Sequence, residues 1–491
     1  MAWALLIGSA VVLISVVGVR LAGRLGVSGL LLYLGLGLAA GTVFPQISIE
    51  EPQVVTVLGY AALGLILAQG GLTTRLSQLR PVAWPAVTLA SLGVVVSIVA
   101  VAVPLVLILG LSWQLAVLLG SVLAATDAAA VFSVMRRMRL SERLRTVLEA
   151  EAGFNDAPVV VLVSVVASGA WATSSPWQIP VIVLAGLLGG AIAGIAVGYG
   201  ARWLLPRLAL PAVGLYPIAA LALIALAYGL AAVVHASGFL AVYLAAVIIG
   251  STARLPHRRS ITGFADGMSW IAEIGLFFML GALADVSRLP QAMAAAVVAG
   301  VALVLLGRPL AAISSLLPFR WPRADIAFAS FAGLRGAVPI VFAVIPLGAA
   351  VVGAELVFDA TFIIVLVLLL VQTPLLPRLG RRLGVCLPAE AVELEVESAP
   401  LDGMRAVVLG VEVPAGSALI GTFVQELGLP DGAVVSLIVR SDAPLVPDAN
   451  TRIREGDRLV VVTTEMARAR AEERIRQVSQ RGRLATWLDG D

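Results

Sequence analysis

Apolar windows long enough to cross a bilayer recur along the chain. They predict thirteen helices, over residues 2–19, 26–43, 53–72, 82–110, 113–134, 147–169, 178–205, 211–235, 238–251, 264–283, 291–317, 325–347 and 357–377. The ninth window is short. The first opens on Met-Ala-Trp without a basic residue, and Arg20 and Arg24 follow its apolar run, so it reads as a span and not as a cleaved leader.

The loops between these windows test the count. Alternate loops carry Arg20 and Arg24, then Arg75 and Arg80, then Arg136, Arg137, Arg139, Arg143 and Arg145, then Arg202 and Arg207, then Arg254, Arg258 and Arg259, then Arg320 and Arg323. The opposite loops carry one arginine, Arg288, with Glu50, Glu51, Asp285 and Glu355. Sixteen against one fixes a side: the arginine-rich loops are cytoplasmic, the N-terminus outside and the C-terminus inside. One missed helix would scramble the alternation. The predicted architecture is an all-α polytopic protein of the cytoplasmic membrane.

Composition agrees with this. Of 491 residues, 60% are hydrophobic and 13% charged, a balance foreign to soluble domains of this size. The basic side chains flank membrane spans, so they do not argue for nucleic acid as a partner. A single cysteine, Cys386, excludes an internal disulfide, and two scattered histidines, His235 and His257, leave no Cys/His metal cluster.

The pattern changes after Arg381 and Arg382. A membrane domain is assigned to 1–382, an acidic linker to 383–400, a small soluble α/β domain to 401–465 and a charged, exposed tail to 466–491. Strand-like runs at 406–413, 434–440 and 458–463 alternate with turn signals at Pro430-Asp431-Gly432 and Glu455-Gly456-Asp457.

Several polar residues fall inside predicted spans: Gln69, Thr126, Asp127, Glu149, Glu151, Asn155, Asp156, Asp266, Glu273, Arg308 and Arg335. Such groups are expensive in lipid and by default mark an ion path. Glu149 and Asp266 lie near span ends, within reach of the interface. Glu151 and Asn155 are one turn apart and share a face; Asp156 lies about 100° further round. A buried carboxylate needs a counter-charge, and Arg335 is the expected partner of Glu151, as a structural ion pair. Asp156 is left without one. It can be neutralised by a proton or by a metal cation, and competition between the two at a site open alternately to both sides is sufficient for exchange.

Thr126-Asp127 interrupts the fifth span, and Gly333-Leu-Arg-Gly-Ala-Val-Pro339 has the glycines and proline of a broken twelfth. Two broken helices in two halves predict inverted repeats with crossing helices. Asp127 has two readings here: it caps free amides at a break, or it ligates a cation directly. Val197-Gly-Tyr-Gly200 imitates a potassium-channel filter, but it lies within an apolar helix where Gly186, Gly190, Gly194 and Gly198 recur every four residues, a spacing for close packing.

Ala125-Thr-Asp-Ala-Ala-Ala-Val131, Glu149-Ala-Glu-Ala-Gly-Phe-Asn-Asp156 and Gly333–Pro339 together resemble the NhaP-like monovalent cation/proton antiporters over about residues 1–382. The tail, with Val413-Pro-Ala-Gly-Ser-Ala-Leu-Ile-Gly421 and Ile453-Arg-Glu-Gly-Asp-Arg-Leu-Val460, resembles an RCK-C domain. The combination is similar to the family's potassium/proton antiporters. The resemblance implies a homodimer working as an elevator, with Asp156 as the proton and cation acceptor, Asn155 orienting it in electroneutral exchange, and Thr126 and Asp127 in the unwound crossing. Glu151 and Arg335 would tie core helices together.

Two departures bear on the ion. Ala152 stands where many relatives have a Ser hydroxyl, and Gln69 near the place of an acid in the third span; Glu273 is a candidate replacement. A site poorer in hard oxygens has two readings: it favours K⁺ over Na⁺, or it transports weakly. The expected function is therefore K⁺/H⁺ antiport, with Na⁺/H⁺ antiport as the alternative and a gated cation conductance as a different class. No nucleophile–base pair suggests an enzyme, and no resident cofactor is expected. The soluble domain lacks a Gly-rich dinucleotide fingerprint, which argues against NAD; it is expected to bind a small effector, with a nucleotide as one candidate, or to dimerise.

Overall fold

The computed structural model describes residues 29–43, 52–127, 140–168, 170–173, 177–252, 255–386, 396–401, 406–413, 417–440, 443–464 and 466–481, with short pieces within 9–18 and 130–138. The chain divides into two compact units, residues 1–386 and 387–491.

The first unit is helical. Its helices are α1 (Gly29–Val43), α2 (Pro52–Thr73), α3 (Leu76–Leu109), α4 (Trp113–Ala124), α5 (Glu142–Ala167), α6 (Gln178–Leu204), α7 (Leu215–Val233), α8 (Gly238–Gly250), α9 (Arg258–Leu283), α10 (Leu289–Phe319), α11 (Arg323–Ala332), α12 (Ala337–Gly348) and α13 (Ala354–Arg382). Among the described residues eight are long and apolar enough to cross a membrane, or nine when the α11–α12 pair, bent by 50°, is one span. Three more apolar helices, α1, α4 and α8, are shorter. Each predicted window from the second to the thirteenth thus meets a helix or a broken pair. The first window lies largely outside the described residues, so the total of thirteen is not reached among them.

Serine caps set three of the starts. Ser112, Ser141 and Ser237 each accept a backbone N–H in the first turn of α4, α5 and α8. The packing sorts the helices into two bundles. α1 lies along α9, α2 along α8 and α9, and α6 along α7 and α8. In the other bundle α3 packs on α4 and α10, and α13 on α10 and α12. α5 is the most enclosed span, 72% buried against 22% for α6. A central helix of that kind is where a polar cluster escapes lipid. The glycine stripe of α6 does what its spacing predicts: added side chains at Gly190 and Gly194 would strike the α8 backbone at Ser237 and Ala241, and the filter-like tetrapeptide lies inside a continuous helix.

The second bundle repeats itself. A long helix with one π turn (Leu89–Gly93 in α3, Leu303–Gly307 in α10), a broken helix and another long helix occur twice in the same order. Each π turn packs on the other long helix: Thr88, beside the first, exchanges hydroxyl-to-carbonyl bonds of 3.2 Å with Ser315 of α10, and the Ser97 hydroxyl of α3 donates to the Gly307 carbonyl in the second at 3.4 Å. Six helices, α4 to α9, lie between α3 and α10, so with each crossing once the two repeats traverse in opposite directions.

The second unit is a five-stranded antiparallel sheet. Its strands are β1 (Val396–Leu401), β2 (Ala406–Glu412), β3 (Ala433–Arg440), β4 (Ala443–Leu445) and β5 (Arg458–Thr464), in the order β1-β2-β5-β3-β4. Two boundaries differ from the sequence reading. Residues 396–401 belong to the sheet and not to a linker. The exposed tail is instead α14 (Arg468–Arg481), whose Ala471, Ile475 and Val478 are buried with Leu409, Val411 and Val461. Their four- and three-residue spacing gives the helix one apolar stripe amid its charges. Residues 482–491 and part of the 413–421 motif lie outside the described residues.

Candidate functional site

The site begins where α4 stops. Ala125 leaves α4 in an extended conformation, and the chain meets the break between α11 and α12. The Asp127 N–H donates to the Leu334 carbonyl at 3.0 Å. Its carboxylate accepts the Ala337 N–H at 2.7 Å and the Ala130 N–H at 3.2 Å. One carboxylate therefore caps the start of α12 and the turn that follows the break in its own segment. Free amides at a helix start attract an anion in this way. Of the two readings of Asp127, the geometry displays the cap. It also explains Gly336: a Cβ there would fall on the Asp127 carboxylate.

α5 passes beside this crossing. The Asn155 Nδ2 donates to the Thr126 Oγ1 at 2.5 Å, joining α5 to the broken segment. The bond turns the Asn155 Oδ1 the other way. That atom and both Asp156 carboxylate oxygens are buried without a hydrogen-bond partner among the described residues. Asp156 is fully enclosed. Three oxygens on adjacent residues can replace part of the water shell of a cation, or one of them can take a proton.

Glu151 does not pair with Arg335. It is held by Arg308 of α10, Nη1 to Oε1 at 2.6 Å and Nη2 to Oε2 at 3.4 Å, and the same guanidinium donates to the Ala329 carbonyl at 3.1 Å. The two-pronged fork ties α5, α10 and α11 together. Gly333 makes this pairing possible, since any side chain there would occupy the space of the Arg308 guanidinium. Arg335, fully buried in the break, makes no hydrogen bond among the described residues; its charge is coupled to Asp156 and Glu151 and opposed by Arg308. Sequence reasoning noted Arg308 in its span but gave it no partner. The signal was Gly307-Arg308 at the end of a helix interruption, opposite the Gly333 of another.

Gln69 and Glu273 do not hydrogen-bond to Asp156. Gln69 donates to Asp266 at 3.2 Å, and both line a cavity of about 480 Å³ between the bundles with Thr73, Glu142, Thr146 and Glu149. Glu149 also pairs with Arg145 at 3.3 Å. Glu273 stands near Tyr33 of α1. Sequence reasoning did not foresee this acid-lined chamber, because its walls come from α2, α5 and α9.

Comparison with known families decides the class. The transmembrane sodium/hydrogen exchanger family matches residues 11–382, and the TrkA-C domain matches residues 408–476. The chain belongs to the sodium/hydrogen exchanger family. Within it, the chain is 34% identical over 463 residues to the K(+)/H(+) antiporter NhaP of Alkalimonas amylolytica, covering 92% of this chain and 79% of that protein. It is 33% identical over 356 residues to the K(+)/H(+) antiporter NhaP2 of Shewanella baltica, covering 71% of this chain and 61% of that protein. The fold is similar to that of the sodium proton antiporter MjNhaP1 from Methanocaldococcus jannaschii, with a TM-score of 0.67 at 21% identity over 78% of this chain and 99% of that one. The NhaP-like resemblance of the three motifs and the RCK-C reading of the tail both agree with these matches. In this exchanger the motif residues Thr126, Asp127, Asn155 and Asp156 meet at one point, and Glu151 with its arginine stands beside them.

Proposed function

We propose that this protein exchanges one K⁺ for one proton across the cytoplasmic membrane, with Asp156 as the shared acceptor. The observation that carries the reading is the charge balance at the crossing. Three carboxylates, Asp127, Glu151 and Asp156, face two guanidinium groups, Arg308 and Arg335, and none of the five is more than 4% exposed. The cluster is one positive charge short of neutral. Uncompensated charge at this depth costs several kcal/mol, roughly, so the cluster crosses the membrane when it holds one proton or one monovalent cation. The two exclude each other, and alternating access turns exclusion into exchange.

Asn155, anchored by Thr126, turns its Oδ1 toward the ion alongside Asp156. Asp127 holds the two broken helices in register. Glu151 with Arg308 fixes α5 within the moving bundle, and Gln69 belongs to the entry chamber. K⁺ is favoured by the names of the relatives and by Ala152, which contributes no hydroxyl: a sparse oxygen set suits the ion that gives up water more readily.

The bundle of α3–α5 and α10–α13 is the proposed mobile core, and the other bundle is the dimerising part of a homodimer. The arginine bias supports a cytoplasmic C-terminus. There the TrkA-C domain biases the transport equilibrium on binding a small effector. A cavity of about 400 Å³ bordered by Arg470 and Arg474 is the candidate seat for an anionic one.

The test uses inverted membrane vesicles with a preset proton gradient and a fluorescent pH probe. Added K⁺ dissipates the gradient independently of membrane voltage. A response to Na⁺ but not to K⁺, or a voltage-driven response, contradicts the proposal.

A further inference from the structure

α5 carries Glu149, Gly153 and Asp156 four and three residues apart, which stacks them along one face of the helix. The two ends of this stripe differ in access. Glu149 lines the chamber between the bundles with its side chain 22% exposed. Asp156 is sealed from solvent.

Tyr243 of α8 lies over the middle. A Cβ on Gly153 would stand 2.5 to 2.9 Å from three carbons of the Tyr243 ring, so the ring rests directly on the helix backbone. Phe154 packs edge-on against the same ring, with centroids 5.1 Å apart. The Tyr243 hydroxyl lies close to Thr74 and within the field of Glu149. It makes no hydrogen bond of good geometry among the described residues. A phenylalanine would fill the same space with no buried hydroxyl to satisfy. Stability alone does not account for a tyrosine here.

The seat also spans a seam. Tyr243 belongs to the bundle of α2, α8 and α9, and Gly153 to the helix at the centre of the other. A slip of one bundle past the other by a single helical turn, about 5.4 Å, carries the ring off Gly153. Glycine at this position lets the ring lie flush and then pass.

We infer that Tyr243 is the gate between the acid-lined chamber and Asp156: its ring, seated on Gly153, closes the path that a cation or proton takes between Glu149 and the exchange site. The inference rests on the assignment of Asp156 proposed above. In the closed state the ring is the barrier and Phe154 is its backstop. In the open state the hydroxyl, moving with the ring, presents an oxygen to the ion halfway along the stripe.

Thiol labelling of the full-length protein in vesicles reads the gate without reading transport. Cys386 is the single native cysteine, so Cys386→Ser with Asp156→Cys leaves one reactive thiol at the exchange site. A small charged methanethiosulfonate reagent is applied from the chamber side. Adding Tyr243→Ala raises the labelling rate tenfold or more, while Tyr243→Phe stays within twofold of the parent. An unchanged rate in Tyr243→Ala overturns the inference, and so does a Tyr243→Phe rate that rises as far. If Tyr243→Ala fails to reach the membrane, Gly153→Ala carries the same test, because its methyl displaces the ring: faster labelling supports the gate and an unchanged rate overturns it. A failed assignment of Asp156 shows separately, as exchange that survives Asp156→Asn.

Discussion

Glu151 of α5 and Arg308 of α10 form a buried two-pronged ion pair, 2.6 Å at its closest, with both side chains 5% exposed or less. Breaking such a pair leaves one charge uncompensated, at about 3–5 kcal/mol. Glu151→Gln or Arg308→Met alone is expected to lower the unfolding temperature of the detergent-solubilised protein markedly. The double variant is expected to lose less than the two losses added together. Additive losses would mean that the pair is not a unit, and full tolerance of Arg308→Met would return Arg335 to the role of partner.

Asp127 separates capping from ligation. Asp127→Ala removes acceptors from two helix starts, at about 0.5–2 kcal/mol for each cap. Asp127→Asn keeps an oxygen acceptor and loses the charge. For a cap, Asp127→Asn lowers thermal stability by less than Asp127→Ala does, while both variants weaken K⁺-driven proton flux alike, because each removes one charge from the cluster. Equal losses of stability in the two variants would show that Asp127 does not cap the break.

The glycines of the break are steric requirements. Gly336→Ala would drive a methyl into the Asp127 carboxylate, and Gly333→Ala into the Arg308 guanidinium. Overpacking of this kind costs about 1–3 kcal/mol. Gly267, with open space around it, is the control, and Gly267→Ala should be tolerated. Thermal stability measured on the three variants in parallel checks the ranking; equal behaviour of all three would show that the break is more plastic than its geometry.

The soluble unit has its own acid limit. Burial would raise the Asp457 carboxyl, but the Arg440 guanidinium, at 2.8 Å to each oxygen, and the Arg454 N–H outweigh it and hold the carboxyl below the usual carboxylate range. A carboxyl held low in the folded state adds stability that is complete above its unfolded pKa and lost as pH falls through the folded one. The protection of the β5 amides in the full-length protein, taken relative to the intrinsic exchange rate at each pH, should therefore fall as pH drops below the ordinary carboxylate range. Asp457→Asn should flatten that dependence; an unchanged pH profile would disprove the link.

The sequence made the class and the meeting point legible for separate reasons. Apolar windows and alternating arginines reflect the bilayer, which acts on each span alone. Thr126-Asp127 and Gly333–Pro339 announce breaks because lipid leaves few other uses for such residues. The partner of Glu151 was hidden, since Arg308 and Arg335 are equally suitable as charges and only the space above Gly333 decides between them. The chamber was hidden because Gln69, Glu149 and Asp266 come from three helices distant in the chain. α14 is a different case: Ala471, Ile475 and Val478 form a visible stripe, and the surrounding charges outweighed it in the reading of an exposed tail.

The central claim is that Asp156 alone carries the exchanged charge. K⁺-driven proton flux in inverted vesicles, compared between the parent and Asp156→Asn at equal amounts of inserted protein, tests it most directly. The asparagine keeps the volume and removes the titratable charge, so the flux is predicted to fall to that of vesicles without the protein. Sustained K⁺-dependent flux in Asp156→Asn would contradict the account.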